Sequence, residues 1–397
     1  MNNLIRGNII GMGNVMGLNR PIQQKPEPKK EEKEDLTKIV THCADKSGCA
    51  HYRMIWPSYI LNSAKEYIIA DFKRPVLDEG WYQGIDVIRM QRQVSPTQRS
   101  LYGKLRQIAD KYDIRLVYEL DDIPLYEDIP LYNKNRKSYA RDDYRKNIIE
   151  MMEMSDEITV STDFMKNYLK SKIKNERITH VPNYLPRFWM DRYYDEEQLK
   201  VNFSKHKKKP RILYAGSASH YAQGVNIEDD FSKLVPYVLK TMKDYQWVFF
   251  GGLPRDLIPY YKQGKIEFHN YSPVVNYSEY FKKIKANISI APLLKNNFNR
   301  SKSHIKLTES AAYGIPCICQ SEIEPYGEAI YTFDTPSELD DQIKRLTKDS
   351  NEYMKACRKS RMVVEKHWLE DNIDVWDEFY KFPFLDKRRE KLNKINE

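Results

Sequence analysis

The segment SKSHIKLTESAAYGIPCICQS, residues 301 to 321, sets Lys302, Lys306 and Glu309 at offsets of four, three and seven. A helix beginning near Ser301 puts all three on one face. Two ammonium groups beside a helix N-terminus suit a diphosphate, and Arg300 adds a third cation from the preceding loop. Glu309 has two readings: it accepts ribose or sugar hydroxyls in a cleft, or it pairs with Lys306 on the surface for roughly a few tenths of a kcal/mol. Upstream, the strand-like RILYAG ends in Gly216 and runs into Ser217, Ala218, Ser219 and His220. Small residues there let backbone amides approach an anion, and the hydroxyls of Ser217 and Ser219 add donors. Neither GxGxxG nor GxxxxGK[ST] occurs at this loop, which argues against a dehydrogenase and against an NTPase.

A second cluster, VYELDDIPLYEDIP, closes an apolar strand with Glu119, Asp121 and Asp122. Like charges at a strand end are costly unless they face water, a metal or a substrate, and one of them can take a proton from an acceptor hydroxyl. The run HCADKSGCAHYRMIWP holds His42, Cys43, Cys49 and His51, but the gap between its cysteines is wider than zinc-knuckle spacing. No metal site is therefore expected. Gly48 reads instead as a turn residue that brings His51, Tyr52 and Arg53 to the cleft at the start of a helix. Cys317 and Cys319 alternate with Ile318, as small apolar residues on one sheet face do.

Strand-like runs alternate with helices of ten to sixteen residues along most of the chain, the pattern of parallel α/β domains. The first set runs from LTKIVTHC through IDVIRMQ and IRLVYEL to RITHVPNYL, and the second from RILYAGS through WVFFGG and ANISIAPL to AIYTF. The expected organisation is a polar tail over 1–35, a Rossmann-like domain over 36–190 and a charged linker over 191–210. A second Rossmann-like domain over 211–350 and C-terminal helices over 351–397, crossing back to the first domain, complete it. A chain of 397 residues suits two domains facing a cleft. Five cysteines argue against a disulfide framework, and the absence of a long apolar run argues against a transmembrane segment; both point to the cytoplasm. The net charge of +9 favours a polyanionic partner such as DNA, an anionic membrane surface or a phosphorylated small molecule. No particular oligomeric state is implied.

Four blocks, SGCAHYRMIWPSYIL, VYELDDIP with ITVSTDFMKNYL, ITHVPNYLP and KSHIKLTESAAYGIPCICQ, together resemble the GT-B fold glycosyltransferases related to glycosyltransferase family four, over roughly residues 37 to 380. The resemblance implies two Rossmann-like domains and a nucleotide-sugar donor, a UDP-sugar foremost, with no metal or other cofactor required. It implies that Glu309 holds the donor ribose, that Lys306 or Lys302 binds the diphosphate, and that Gly314 and Pro316 shape the turn. Arg300 and the amides after Gly216 and Ser217 assist, while Asp121, Asp122 and His51 serve the acceptor hydroxyl. Many retaining members carry a further glutamate eight residues before the one matched by Glu309; that position is Ser301 here. Retention of configuration is still the expected outcome. A basic chain with a polar N-terminal arm fits a phage-encoded enzyme, in the host cytoplasm, that glycosylates hydroxymethylated bases of double-stranded DNA. A cell-surface glycan or lipid acceptor, a nucleotide-sugar epimerase of the same fold and a nucleic-acid-binding protein are the alternatives.

Overall fold

The computed structural model describes residues 36–72, 74–222 and 227–381, so the expected N-terminal tail and the end of the C-terminal segment lie outside the described residues. In the first half, β1 (Thr37–His42), β2 (Tyr67–Asp71), β3 (Val87–Gln91), β4 (Arg115–Leu120), β5 (Glu157–Val160) and β6 (Ile178–His180) form a sheet. Its order is β2-β1-β3-β4-β5-β6 and every pairing is parallel. β3 and β4 are buried at every position, as central strands of a covered parallel sheet must be. In the second half, β7 (Arg211–Gly216), β8 (Gln246–Gly251), β9 (Glu267–Asn270), β10 (Ile288–Ala291), β11 (Cys317–Gln320) and β12 (Tyr331–Phe333) pair in the order β12-β11-β10-β7-β8-β9, again all parallel. The chain changes direction between β1 and β3 in one sheet and between β7 and β10 in the other. Crevices open at the carboxyl ends of strands beside such switch points.

Helix boundaries follow local chemistry where it is strong. Ser95 and Gln98 form a reciprocal cap for Pro96–Tyr112, Asp113 ends that helix at φ 56°, and its buried stripe is Tyr102, Leu105, Ile108 and Ala109. One expectation is filled in and one is corrected. The linker stretch contains a helix, Glu196–His206, capped by Asp195. Its charged sequence hides one apolar pair four residues apart, Leu199 and Phe203, and burying that pair, with Phe203 stacked on Tyr353 at 4.6 Å, is enough to dock it. The helix expected from Ser301 is two, Asn297–Arg300 and Ile305–Ala312. Ser301 Oγ donates to the Phe298 carbonyl and ends the first turn, while Thr162 Oγ1 donates to the Ser301 carbonyl and Asn183 Nδ2 to Ser303 Oγ. Contacts from the first half thus hold residues 301–304 out of a helix.

After the second sheet, helix Ser350–Val364 packs on Glu196–His206 and on Ile305–Ala312. The chain then pairs with the end of the first half, Leu185 N–H donating to the His367 carbonyl at 2.8 Å and Leu369 N–H to the Leu185 carbonyl at 2.9 Å. Helix Asp374–Lys381 lies against the first sheet, where Arg89 donates to Tyr380 Oη and Arg115 to the Phe379 carbonyl.

Candidate functional site

Both sheets direct strand ends at one cleft, and the ends beside the switch points meet there. A cavity of about 270 Å³ is lined by Tyr52, Asp121 and Asp122 from the first half and by His220, Lys302, Lys306 and Glu309 from the second. A second cavity of about 180 Å³ shares Tyr52 and Glu309, then extends to Gly216, Ser217 and an aromatic wall of Trp189, Phe250 and Tyr277. Tyr277 stacks on Phe250 at 5.1 Å and on Trp189 at 5.8 Å, which fixes that wall. Glu309 therefore stands where a polar cavity meets an aromatic one. A larger cavity, about 430 Å³, opens at the carboxyl ends of β10, β11 and β12. Its lysines are already matched, Lys295 with Glu322 and Asp334 and Lys233 with Glu228.

Lys306 in the cleft is not matched in that way. Lys306 Nζ donates to Tyr214 Oη at 3.1 Å and lies 4.6 Å over the same ring, and no carboxylate pairs with it among the described residues. Lys306 is half-buried; burial, then Lys302, pushes its ammonium down to about 7, with Asp230 and Glu309 pulling the other way. Glu309 is buried, and burial pushes its carboxyl up to about 7, against the hydrogen bonds it accepts from Tyr52 Oη at 2.8 Å and Tyr277 Oη at 2.9 Å. Tyr52 belongs to the first half, so this contact closes the cleft. Gly216 has no room for a side chain: a Cβ there would lie 2.8 Å from the ring of Tyr214, the partner of Lys306. Gly314 turns the chain at φ 70°, with Tyr194 where its Cβ would stand.

The fold brings together Lys302, Lys306, Glu309, Asp121 and Asp122, and places Gly216 and Ser217 on the adjoining wall. Lys302 does so from the loop rather than from the helical face its spacing suggested. Asp121 accepts from Arg92 at 3.0 Å, and Arg92, held between Asp45 and Asp121, adopts φ 38°. Burial, then the neighbouring Asp121, raises the Asp122 carboxyl, with Lys302 and Arg92 opposing. Two candidates stand apart. His51 does not line the 270 Å³ cavity; its Nδ1 is 2.8 Å from the Ser47 carbonyl and its ring meets Trp56 edge-on. Arg300 pairs with Glu324 and covers the ring of Phe164. Ser301 is fully buried, so no side chain from that position enters the cavity. Among the described residues no group of three or more His, Cys, Asp or Glu side chains is arranged to hold a metal, and no helix is long and apolar enough to cross a membrane.

Sequence reasoning missed Tyr214, Tyr277, Arg92 and the pair His220 and Asp230. Aromatic residues are common enough in this chain, with 29 tyrosines, that spacing alone does not single any out. His220 did follow the small residues of the β7 loop, which is the one local signal for it.

No protein-family model matches the chain, and no curated protein does. Solved structures match over most of its length. A glycosyltransferase from Rickettsia africae ESF-5 aligns with a TM-score of 0.56 at 13% identity, covering 87% of this chain and 98% of that one. The catalytic domain of starch synthase IV from Arabidopsis thaliana, bound to ADP and acarbose, gives 0.58 at 10% identity, covering 87% and 99%. HepE from Anabaena, in complex with UDP and glucose, gives 0.51 at 9% identity, covering 90% and 100%. The chain has the GT-B fold. Within this GT-B fold, the candidate site occupies the cleft between the two Rossmann-like halves, at the β7 and β10 ends of the second.

Proposed function

We propose that the chain transfers a sugar from a nucleoside diphosphate sugar to an acceptor hydroxyl. The observation that carries this reading is that, among the described residues, the half-buried Lys306, beside Lys302, makes no ion pair with a carboxylate, and the buried Glu309 is held by tyrosine hydroxyls. A diphosphate supplies the anion that Lys302 and Lys306 lack, and a ribose diol replaces the two tyrosine hydroxyls on Glu309. The aromatic cavity beside Glu309 has the chemistry for a nucleobase, and Gly216 and Ser217 line the path between. As the anomeric bond breaks, its electron pair leaves on the diphosphate oxygen, and the two lysines stabilise that charge. On the first-half wall Asp122, raised by burial and by Asp121, is the group to take the acceptor proton as the acceptor oxygen bonds to the anomeric carbon on the face the diphosphate leaves, the course that retains configuration, with Asp121 kept in place by Arg92. UDP is the first nucleotide to test because Anabaena HepE was seen with UDP, and ADP follows from the starch synthase.

For the acceptor, the net charge of +9 favours a polyanion, which makes a hydroxymethylated base in double-stranded DNA the first candidate. The test is transfer from a panel of labelled UDP-, ADP- and GDP-sugars to hydroxymethylated DNA, lipid extract and small glycans, with products identified by mass and anomeric configuration by NMR. A glycosylated product that disappears in the Lys306→Met variant is expected, with configuration retained. Turnover of the nucleotide sugar to an altered free sugar, with no acceptor modified, overturns transfer.

A further inference from the structure

The polar cavity holds one buried ionisable pair that the proposed reaction has not used. His220 lines the cavity together with Lys302 and Lys306, and its Nδ1 lies 2.6 Å from Asp230 Oδ2. Resting on the donor-site reading, we infer that His220 is a further ligand of the leaving diphosphate, and that its Nε2 takes up a proton when the diphosphate binds.

The tautomer follows from what surrounds Asp230. Its Oδ1 accepts from Tyr132 Oη at 2.8 Å, from Asn299 Nδ2 at 2.6 Å and from Leu294 N–H at 2.9 Å, so the carboxylate is surrounded by donors. Such a carboxylate stays ionised and acts only as an acceptor, which puts the His220 proton on Nδ1. Nε2 then carries the free lone pair. The ring lines the cavity alongside Lys302 and Lys306 while Nδ1 faces Asp230, which leaves Nε2 as the nitrogen for an anion held there. Tyr132 comes from the first half and Asn299 from the second, so both halves of the closed cleft fix this histidine.

Charge decides when Nε2 takes its proton. Burial, then Lys302 and Lys306, pushes the empty-site imidazole down to about 3, although Asp230 pulls the other way. Of the other groups around the ring, Tyr214 stands edge-on at 6.4 Å, and Asp121, Asp122 and Glu309 line the same cavity. A bound diphosphate brings at least two negative charges to the lysines and reverses their effect on the ring. The imidazolium then lies between the Asp230 carboxylate and a phosphate oxygen, donating a charge-assisted hydrogen bond to each. The proton comes from solvent and remains on Nε2. When the anomeric C–O bond breaks, the electron pair on the diphosphate meets a third cation besides the two lysines.

Calorimetric titration of the full chain with UDP, ADP and GDP at pH 6.0, in buffers of differing ionisation enthalpy, counts the protons taken up. Lys306 and Glu309 also titrate near neutrality, so the difference between wild type and His220→Asn isolates the histidine; asparagine keeps a donor to Asp230 and removes Nε2. Wild type is expected to take up about one more proton per diphosphate than His220→Asn. The variant is expected to bind the diphosphate about tenfold more weakly while binding the bare nucleoside equally well. Asp230→Asn, which removes the charge behind the ring, should also lose most of the uptake, and it decides the matter if thermal melts show His220→Asn unfolded. Equal proton uptake in wild type and the folded variants overturns the role of His220 alone. Absence of diphosphate binding to wild type overturns the donor site and this role together.

Discussion

Arg53, Arg89 and Glu119 in the first half have no exposed surface, while in the second Glu309 is buried and Lys306 half-buried, and the two groups are built differently. Glu119 accepts from Arg53 at 2.5 Å and from Arg89 at 2.8 Å, and the Thr159 hydroxyl adds a donor. Arg53 continues to Asn183 Oδ1 and the Val181 carbonyl; Arg89 continues to Tyr380 Oη and lies 4.0 Å over the ring of Trp376. That cluster sets one carboxylate between two guanidinium groups, gives carbonyl, amide and hydroxyl acceptors to other N–H groups, and ties the C-terminal helix to the first sheet. Around Lys306 and Glu309 the hydrogen-bond partners are neutral hydroxyls; Lys302 repels Lys306, and Asp230 and Glu309 act on it from a distance without forming an ion pair among the described residues. A buried cluster that serves the fold carries its counter-charge within the fold. One that serves binding leaves charge for the ligand to complete, at some cost to stability.

The strongest way to break this comparison is Glu119→Ala, which leaves two buried guanidinium groups without their counter-charge. A loss of about 3–5 kcal/mol in urea unfolding is expected, and a loss under about 1 kcal/mol removes the structural reading. Lys306→Met is the converse: unfolding stability should hold or rise, while kcat with a nucleotide sugar falls about 100-fold. Similar damage to stability and activity makes Lys306 structural after all. Glu309→Gln sharpens the contrast through pH. The wild-type carboxyl is raised, so between the ordinary carboxylate range and about 7 the folded protein keeps a proton that the unfolded chain has lost, and stability falls as pH rises through that window. The glutamine variant lacks this fall and should gain on the order of 1–3 kcal/mol over wild type on going from pH 4 to pH 8, measured by thermal melts across the range, while donor use weakens. A parallel pH profile in both proteins leaves Glu309 unperturbed. The smallest effect belongs to Arg300→Ala: its partner is a surface carboxylate, so stability should move by no more than roughly 0.5 kcal/mol and donor use should hold, whereas a large kinetic loss returns Arg300 to the site.

Much of the fold was legible because it rests on local pattern. Runs such as WVFF are apolar at every position, helices between the strands carry caps such as Ser95, and together they announce parallel sheets. Legibility ended where a distant contact overrode local preference. Residues 301–304 have a helical spacing, but Thr162 and Asn183 hold their polar groups in another conformation. Glu119 looked like one more acid beside Asp121 and Asp122, since nothing near it in sequence reveals Arg53 or Arg89. His51 and Arg300 carried the right chemistry at plausible positions, and each found a partner outside the cavity, the Ser47 carbonyl and Glu324.

By itself the sequence determined the class of fold and the types of group available in the segment around Lys302, Lys306 and Glu309, because hydrophobic period and residue chemistry are local properties. Only the tertiary structure decided which charges are answered and which are left open. That depends on pairs far apart in the chain, 66 residues for Arg53 and Glu119 and 257 for Tyr52 and Glu309, and on how deeply the fold buries them. Depth sets the cost of an unmatched charge, and no spacing of letters records it.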